Sequence, residues 1–170
     1  MTVDDGSGVQ VRKVEVHEAG RYRDIRLRAL ADSPGAFATR YEDAARRTPE
    51  EWVALVAKLS AEPGCGFWIA EAADGRWVAL AGTYRPEHEP GMLELMQVWT
   101  DPVARRTGLG RRVIEALLEH GRPHAPAGFG HWVADGNDGA VRFYEALGFT
   151  VATTTAVPFA QCDIWMEKRP

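Results

Sequence analysis

Val98-Trp99-Thr100-Asp101-Pro102-Val103-Ala104-Arg105-Arg106-Thr107-Gly108-Leu109-Gly110-Arg111 reads as the end of a strand, a short loop and the mouth of a helix. Asp101-Pro102 breaks the strand, and Gly108 and Gly110 alternate where the helix begins. The first turn of a helix has unpaired N–H groups and a partial positive charge. Glycines there let a bound group reach the main chain with no β-carbon in the way. Together these make an anion site suited to a pyrophosphate. Arg105, Arg106, Arg111 and Arg112 add positive charge at the end where the dipole disfavours it, an arrangement that an anion would relieve. The P-loop is excluded because no lysine follows these glycines, and the dinucleotide fingerprint because its third glycine is missing. A plain glycine turn before a surface helix is the alternative that the segment alone leaves open.

Outward from this loop, Met92 to Thr100 reads as the strand that feeds it and Gly108 to Gly121 as the helix that leaves it, with Leu109, Val113, Ile114, Leu117 and Leu118 on one side. Upstream, Val9 to Val16 alternates as a first strand, and Glu18 to Ala31 carries Tyr22, Ile25, Ala29 and Leu30 at helical spacing before Asp32-Ser33-Pro34-Gly35. Thr48-Pro49-Glu50-Glu51 starts a second helix, and Phe67 to Ala72 and Arg76 to Tyr84 form a hairpin about Asp74-Gly75. Downstream come a strand over Phe129 to Ala134, a helix over Asn137 to Leu147, and strands over Phe149 to Ala156 and Gln161 to Lys168. This order predicts an α/β (α+β) domain: a mixed, mostly antiparallel central sheet of about seven strands with helices on both faces.

The chain of 170 residues suits one domain over 1–170, with residues 1–8, acidic and Gly/Ser-rich, expected to be disordered. A net charge of −4 argues against nucleic-acid binding. No run of about 18 apolar residues is present to span a membrane, and the N-terminus lacks the regions of a signal peptide, so a cytoplasmic location is expected. Cys65 and Cys162 form no CxxC pair, and Cys162 sits in an apolar run as a buried thiol. His17, His88, His120, His124 and His131 show no metal-ligand spacing, so no metal is expected.

A second motif, Asn137-Asp138-Gly139-Ala140-Val141-Arg142-Phe143-Tyr144-Glu145-Ala146-Leu147-Gly148-Phe149, puts Ala140, Phe143 or Tyr144, and Leu147 on one helix side, with Gly148 as a left-handed exit. Alone, Tyr144 reads as a core aromatic. The two motifs together resemble the GNAT superfamily of acyl-CoA-dependent N-acyltransferases. Arg105-x-x-Gly108-x-Gly110 is similar to the family's acyl-CoA loop, and Asn137 to Phe149 resembles its Asn-x-x-Ala-x-x-Phe-Tyr-x-x-x-Gly-Phe segment at every signature position. The resemblance covers about residues 92 to 150. Earlier, only element order and the run Arg26 to Phe37 look familiar.

The resemblance implies acetyl transfer from acetyl-CoA directly to a primary amine, in a gap where Met92–Thr100 and Phe129–Ala134 run parallel and splay. It implies that the main chain of Val98, Trp99 and Thr100 meets the pantetheine arm. The stretch Arg105, Arg106, Thr107, Gly108, Leu109, Gly110 and Arg111 would hold the pyrophosphate. Asn137 has two readings, a pantetheine contact or a helix cap. Tyr144 would protonate the leaving thiolate. Glu94 would be the base that takes the amine's proton, or else a solvated strand carboxylate. The partners implied are acetyl-CoA and an amine acceptor, with room for a homodimer. A catalytically inactive acyl-CoA-binding sensor is the competing function. The acceptor would be set by Ser33 to Tyr41 and by Val157 to Ala160, whose sequences do not name it. His88 reads as a solvated loop residue. The run Arg21 to Arg28 and the pair Arg46-Arg47 read as solvated helix faces, and Trp52, Trp68, Trp77, Trp132 and Trp165 as core.

Overall fold

The computed structural model describes residues 3–4, 8–154 and 162–170. Its strands are β1 (Val3–Asp4), β2 (Gln10–Lys13), β3 (Gly66–Glu71), β4 (Trp77–Tyr84), β5 (Met92–Thr100), β6 (Gly128–Ala134), β7 (Thr150–Val151) and β8 (Cys162–Lys168). Its helices are α1 (Ala19–Asp32), α2 (Tyr41–Ala45), α3 (Pro49–Ala61), α4 (Leu109–Gly121) and α5 (Asp138–Glu145). The strands form one sheet in the order β1-β2-β3-β4-β5-β6-β8-β7. Every neighbouring pair is antiparallel except β5 and β6, which α4 connects. No helix is long and apolar enough to cross a membrane among the described residues.

Both faces of the sheet are covered, so its inner strands read as nearly continuous apolar runs rather than as half-buried alternation. On β3, Phe67 and Ile69 meet Tyr22, Ile25 and Leu30 of α1 and Trp52 and Val56 of α3. The intervening Trp68 and Ala70 meet Val113, Ile114 and Leu117 of α4 on the opposite face. Each of those α4 side chains is at most 1% exposed, and such burial stabilises by about 1.5–3 kcal/mol apiece. The predicted start of α3 forms as a full capping box: Glu51 N–H donates to Thr48 Oγ1 at 3.3 Å, and Thr48 N–H to Glu51 Oε2 at 2.7 Å.

The expected strand at Phe149 shrinks to Thr150–Val151 at the sheet edge, paired with Glu167 and Met166. The ends of the last two predicted strands, 155–156 and Gln161, lie outside the described residues. Of residues 1–8, Val3–Asp4 pairs with Val11 and Gln10, while 1–2 and 5–7 lie outside the description. Helix α2 escaped the periodicity reading because five residues are too few to show a stripe, and Ala44 is its one buried residue.

Candidate active site

Two irregularities open the sheet. Leu80 pairs with Trp99 but Gly82 with Met96, so Gln97 and Val98 on β5 oppose Ala81 alone. Such a bulge bends its strand. Gln97 takes a left-handed φ of 56°, sparsely populated for a residue with a β-carbon, and the Tyr22 hydroxyl donates to its Oε1 at 2.7 Å. On the other side, β6 pairs Val133 with Ile164 but Ala134 with Cys162, a second shift. Between the two bends the parallel ladder ends at Leu95↔His131. The splayed pair expected from the sequence is therefore present.

The gap deepens into a cavity of about 450 Å³ whose wall includes Arg26, Phe37, Tyr84, Glu94, His131 and Tyr144. Glu94 is 2% exposed, so it is no solvated strand carboxylate. Leu93 and Leu95 point to the α4 side, and the pleat turns Glu94 the other way. Burial raises its carboxyl to about 7, while hydrogen bonding with Tyr84 pulls it partly back. His88, expected in solvated loop, has its Nε2 3.6 Å from Glu94 Oε2 and its ring edge-on to Trp165.

Tyr144 enters from α5, 3% exposed. Its ring lies 4.3 Å from the His131 ring and is flanked by Phe143 and Phe149. Burial pushes the phenol far above its ordinary value, so the group keeps its proton at any working pH. His131 Nδ1 is 2.9 Å from the Leu95 carbonyl oxygen. A carbonyl only accepts, so Nδ1 carries the hydrogen. Burial lowers the imidazole to about 4, which keeps it neutral. The Gly148 exit forms as expected, with φ 86° and the Phe149 N–H returning to the Tyr144 carbonyl at 3.0 Å.

The loop before α4 has the main-chain shape of an anion site. Arg106 and Gly108 take positive φ, 64° and 84°, on either side of Thr107. Alternation of this kind turns successive N–H groups to one side. Gly108 is the N-cap of α4 and no side chain caps that end. A β-carbon on Gly110 would stand 2.7 Å from Thr100 Oγ1, so a larger residue there would force the Thr100 side chain to move. The Thr107 hydroxyl donates to the Ala104 carbonyl at 2.6 Å and tightens the turn.

Three of the four arginines near this end of α4 have partners within the protein. Arg105 folds back to the Thr100 carbonyl and to Asp32, Arg111 pairs with Glu115, and Arg112 reaches the Val9 carbonyl. Asp32 also accepts from Trp99 Nε1 at 2.9 Å, which ties the end of α1 to the loop. Asn137 caps α5: its Oδ1 accepts from the Ala140 N–H at 3.1 Å. It also borders the cavity.

Comparison with known proteins agrees with this geometry. The Acetyltransferase (GNAT) family matches residues 27–149. The chain belongs to this family. A mycothiol acetyltransferase from Thermobispora bispora is 34% identical over 148 residues, 84% of this chain and 47% of that protein. The chain thus spans about half the length of the curated relatives it matches. Among solved structures, a ribosomal-protein-S5-alanine acetyltransferase from Vibrio fischeri superposes with TM-score 0.79 at 14% identity, covering 99% of this chain and 96% of that one. The PaiA N-acetyltransferase from Thermoplasma acidophilum, solved in complex with coenzyme A, gives 0.72 at 15% identity, covering 95% and 99%. At such identities the likeness shows the GNAT fold alone.

Within this GNAT domain, four cavity residues were not singled out by motif. His131 and Tyr84 carry no spacing signal. Gln97 is a polar residue inside an apolar strand. Arg26 did have a signal: it stands four residues from both Tyr22 and Leu30, inside the apolar stripe of α1, and so is not part of a solvated face. It is 3% exposed. Its guanidinium carbon lies 4.4 Å from the Phe37 ring centre, and its Nη1 is buried without a hydrogen-bond partner. A desolvated cation–π contact is worth about 2 kcal/mol, less than the several kcal/mol that burying an unpaired ion costs. That deficit lowers the guanidinium to about 10.

Both cysteines are free and buried, and burial raises both thiols. Cys162 borders the cavity, as do Ala36 to Thr39 of the segment expected to face the acceptor. The other expected acceptor segment, Val157 to Ala160, lies outside the described residues. No group of three or more His, Cys, Asp or Glu suited to a metal occurs among the described residues.

Proposed function

We propose that this GNAT domain moves an acetyl group from acetyl-CoA to a primary amine by direct attack, without an acyl-enzyme. One observation carries the reading: Glu94 and Tyr144 line the same cavity, at the place where β5 and β6 part. An alkyl ammonium has a reference pKa of about 10.4. Glu94, raised to about 7, is matched to accepting its proton near neutral pH. The amine nitrogen then bonds to the thioester carbonyl carbon, and main-chain N–H groups near Val98 meet the oxyanion. As the carbon–sulfur bond breaks, the Tyr144 hydroxyl gives its proton to the departing sulfur. The extra proton on the acylated nitrogen passes to the phenolate, so that Tyr144 is restored and one proton remains on Glu94. The αL turn at Gly108, the uncapped mouth of α4 and the close approach at Gly110 fit a diphosphate held by the main chain of Arg106 to Arg111. Val98 to Thr100 would meet the pantetheine arm. The names of the relatives, acetyltransferases, support acetyl transfer, and the coenzyme A bound to the Thermoplasma protein supports the donor.

A sensor without catalysis has no use for a buried carboxylate and a buried phenol facing one cavity. Thiol release from acetyl-CoA, measured over a panel of primary amines, tests the proposal. Turnover on at least one amine that Glu94→Gln and Tyr144→Phe both suppress is the expected result. Tight coenzyme A binding with no turnover on any amine would favour the sensor instead.

A further inference from the structure

Two side chains of opposite charge sit in the wall of one cavity and do not pair with each other. Glu94 has Tyr84 and His88 beside it. The ionisable neighbours of Arg26 are Tyr22 and Arg47, and no carboxylate among the described residues is bonded to it. Nη1 of Arg26 is shut away with no acceptor in reach, and the Phe37 ring covers the guanidinium. A buried cation with no counter-ion is unstable until an anion arrives. The planar fork of arginine suits a carboxylate, which it holds through two parallel hydrogen bonds.

We propose that the acceptor is an amino carboxylate, an amino acid or a close derivative, whose carboxylate is received by Arg26 while its amine lies at Glu94. This rests on the acetyl-transfer reading above and extends it to the acceptor. The cavity, about 450 Å³, takes a small zwitterion together with the acyl end of the donor. Arg26 is thereby a specificity residue. It comes from α1, on the face of the sheet opposite α4, so acceptor selection and the anion loop are carried by different elements.

The test is a binding measurement that needs no turnover. The protein is first titrated with coenzyme A by calorimetry. The loaded protein is then titrated with N-acetylglycine, N-acetylalanine and N-acetylphenylalanine, each beside its primary amide. At least one acid is expected to bind about tenfold or more tightly than its amide, and Arg26→Met is expected to bring that ratio close to one. Arg26→Met should also melt at a higher temperature than the parent, because it removes an unpaired buried charge, whereas an arginine kept for packing alone would leave a less stable protein. If Arg26→Met does not fold, Arg26→Lys, which keeps the charge but loses the fork, should show a reduced ratio. Equal binding of acids and amides by the parent, or an unchanged ratio in the folded variant, overturns the proposal. Coenzyme A uptake without an acid preference sinks this inference alone, while no coenzyme A uptake sinks the acetyl-transfer reading beneath it.

Discussion

His88 Nε2 stands 3.6 Å from Glu94 Oε2, and both atoms are buried without a hydrogen-bond partner. The carboxyl is held at about 7 by burial, so over the physiological range it passes between a proton donor and a proton acceptor. As the base, it must be ionised. The rate kcat/KM for acetyl transfer should therefore rise with pH through an apparent pKa of about 7 and then level off, up to the acceptor's own titration. Glu94→Gln should remove that limb and lower the rate on the order of 10²- to 10⁴-fold. A pH profile of the variant that still bends near neutrality would move the base elsewhere.

The same burial acts on folding, with a definite sign. Below pH 4.5, the ordinary value, Glu94 is protonated in both states and contributes nothing. Between 4.5 and about 7 the unfolded chain ionises first, so it binds fewer protons than the native protein and stability falls as pH rises. Above that window the penalty is constant, at about 3 kcal/mol. Glu94→Gln is neutral throughout and escapes the penalty. Urea unfolding of the two proteins should show the variant gaining about 2–3 kcal/mol relative to the parent between about pH 5 and pH 8.5. A gap that stays flat with pH would mean the carboxylate is better solvated than its surroundings imply.

Asp32 makes a different kind of prediction. It closes α1 and accepts from Ser33, Trp99 and Arg105, which hold its carboxyl below the ordinary range. Because Arg105 is exposed, the ion pair itself stabilises little. Its effect is on loop shape: with Arg105 also on the Thr100 carbonyl, the path from strand end to Gly108 is set before any anion binds. Asp32→Ala should weaken coenzyme A binding by about fivefold, the equivalent of about 1 kcal/mol, with only a small change in melting temperature. Calorimetry decides it, and an unchanged affinity would show that the loop holds its shape without the clamp.

The two motifs made the loop and α5 legible, because each depends on residues close in sequence, whereas the parallel pair of β5 and β6, which α4 separates in the chain, followed from the family resemblance. Trp99 shows where that legibility stops. Strict alternation along β5 would put it with Leu93 and Leu95, toward α4. The extra residue at Gln97 and Val98 reverses the pleat, and Trp99 packs instead with Tyr22 and Trp52 on the other face, where it reaches Asp32. A bulge leaves no trace in an apolar run such as Met92 to Thr100. Glu94 met the same limit. Its direction followed from the period, but its burial depends on Tyr84 and His88, which come from another strand and a loop. Arg26 was readable from its place in the α1 stripe, yet its lack of a carboxylate partner is a tertiary fact that no helix period contains.

Tyr144 offers the sharpest separation of chemistry from structure. Its ring packs on His131, Phe143 and Phe149, contacts that phenylalanine preserves. Its hydroxyl, held protonated by burial, has a proton to donate, and His131 beneath it is neutral with its Nδ1 hydrogen engaged by Leu95, so no charge on His131 competes for the phenolic proton. Tyr144→Phe should therefore fold normally and bind coenzyme A with little change. Its kcat and kcat/KM should fall together, on the order of 10²- to 10⁴-fold, as expected when an interaction made only in the transition state is removed. A rise in KM with kcat preserved would assign the hydroxyl to ground-state binding, and equal turnover in the two proteins would take Tyr144 out of the mechanism.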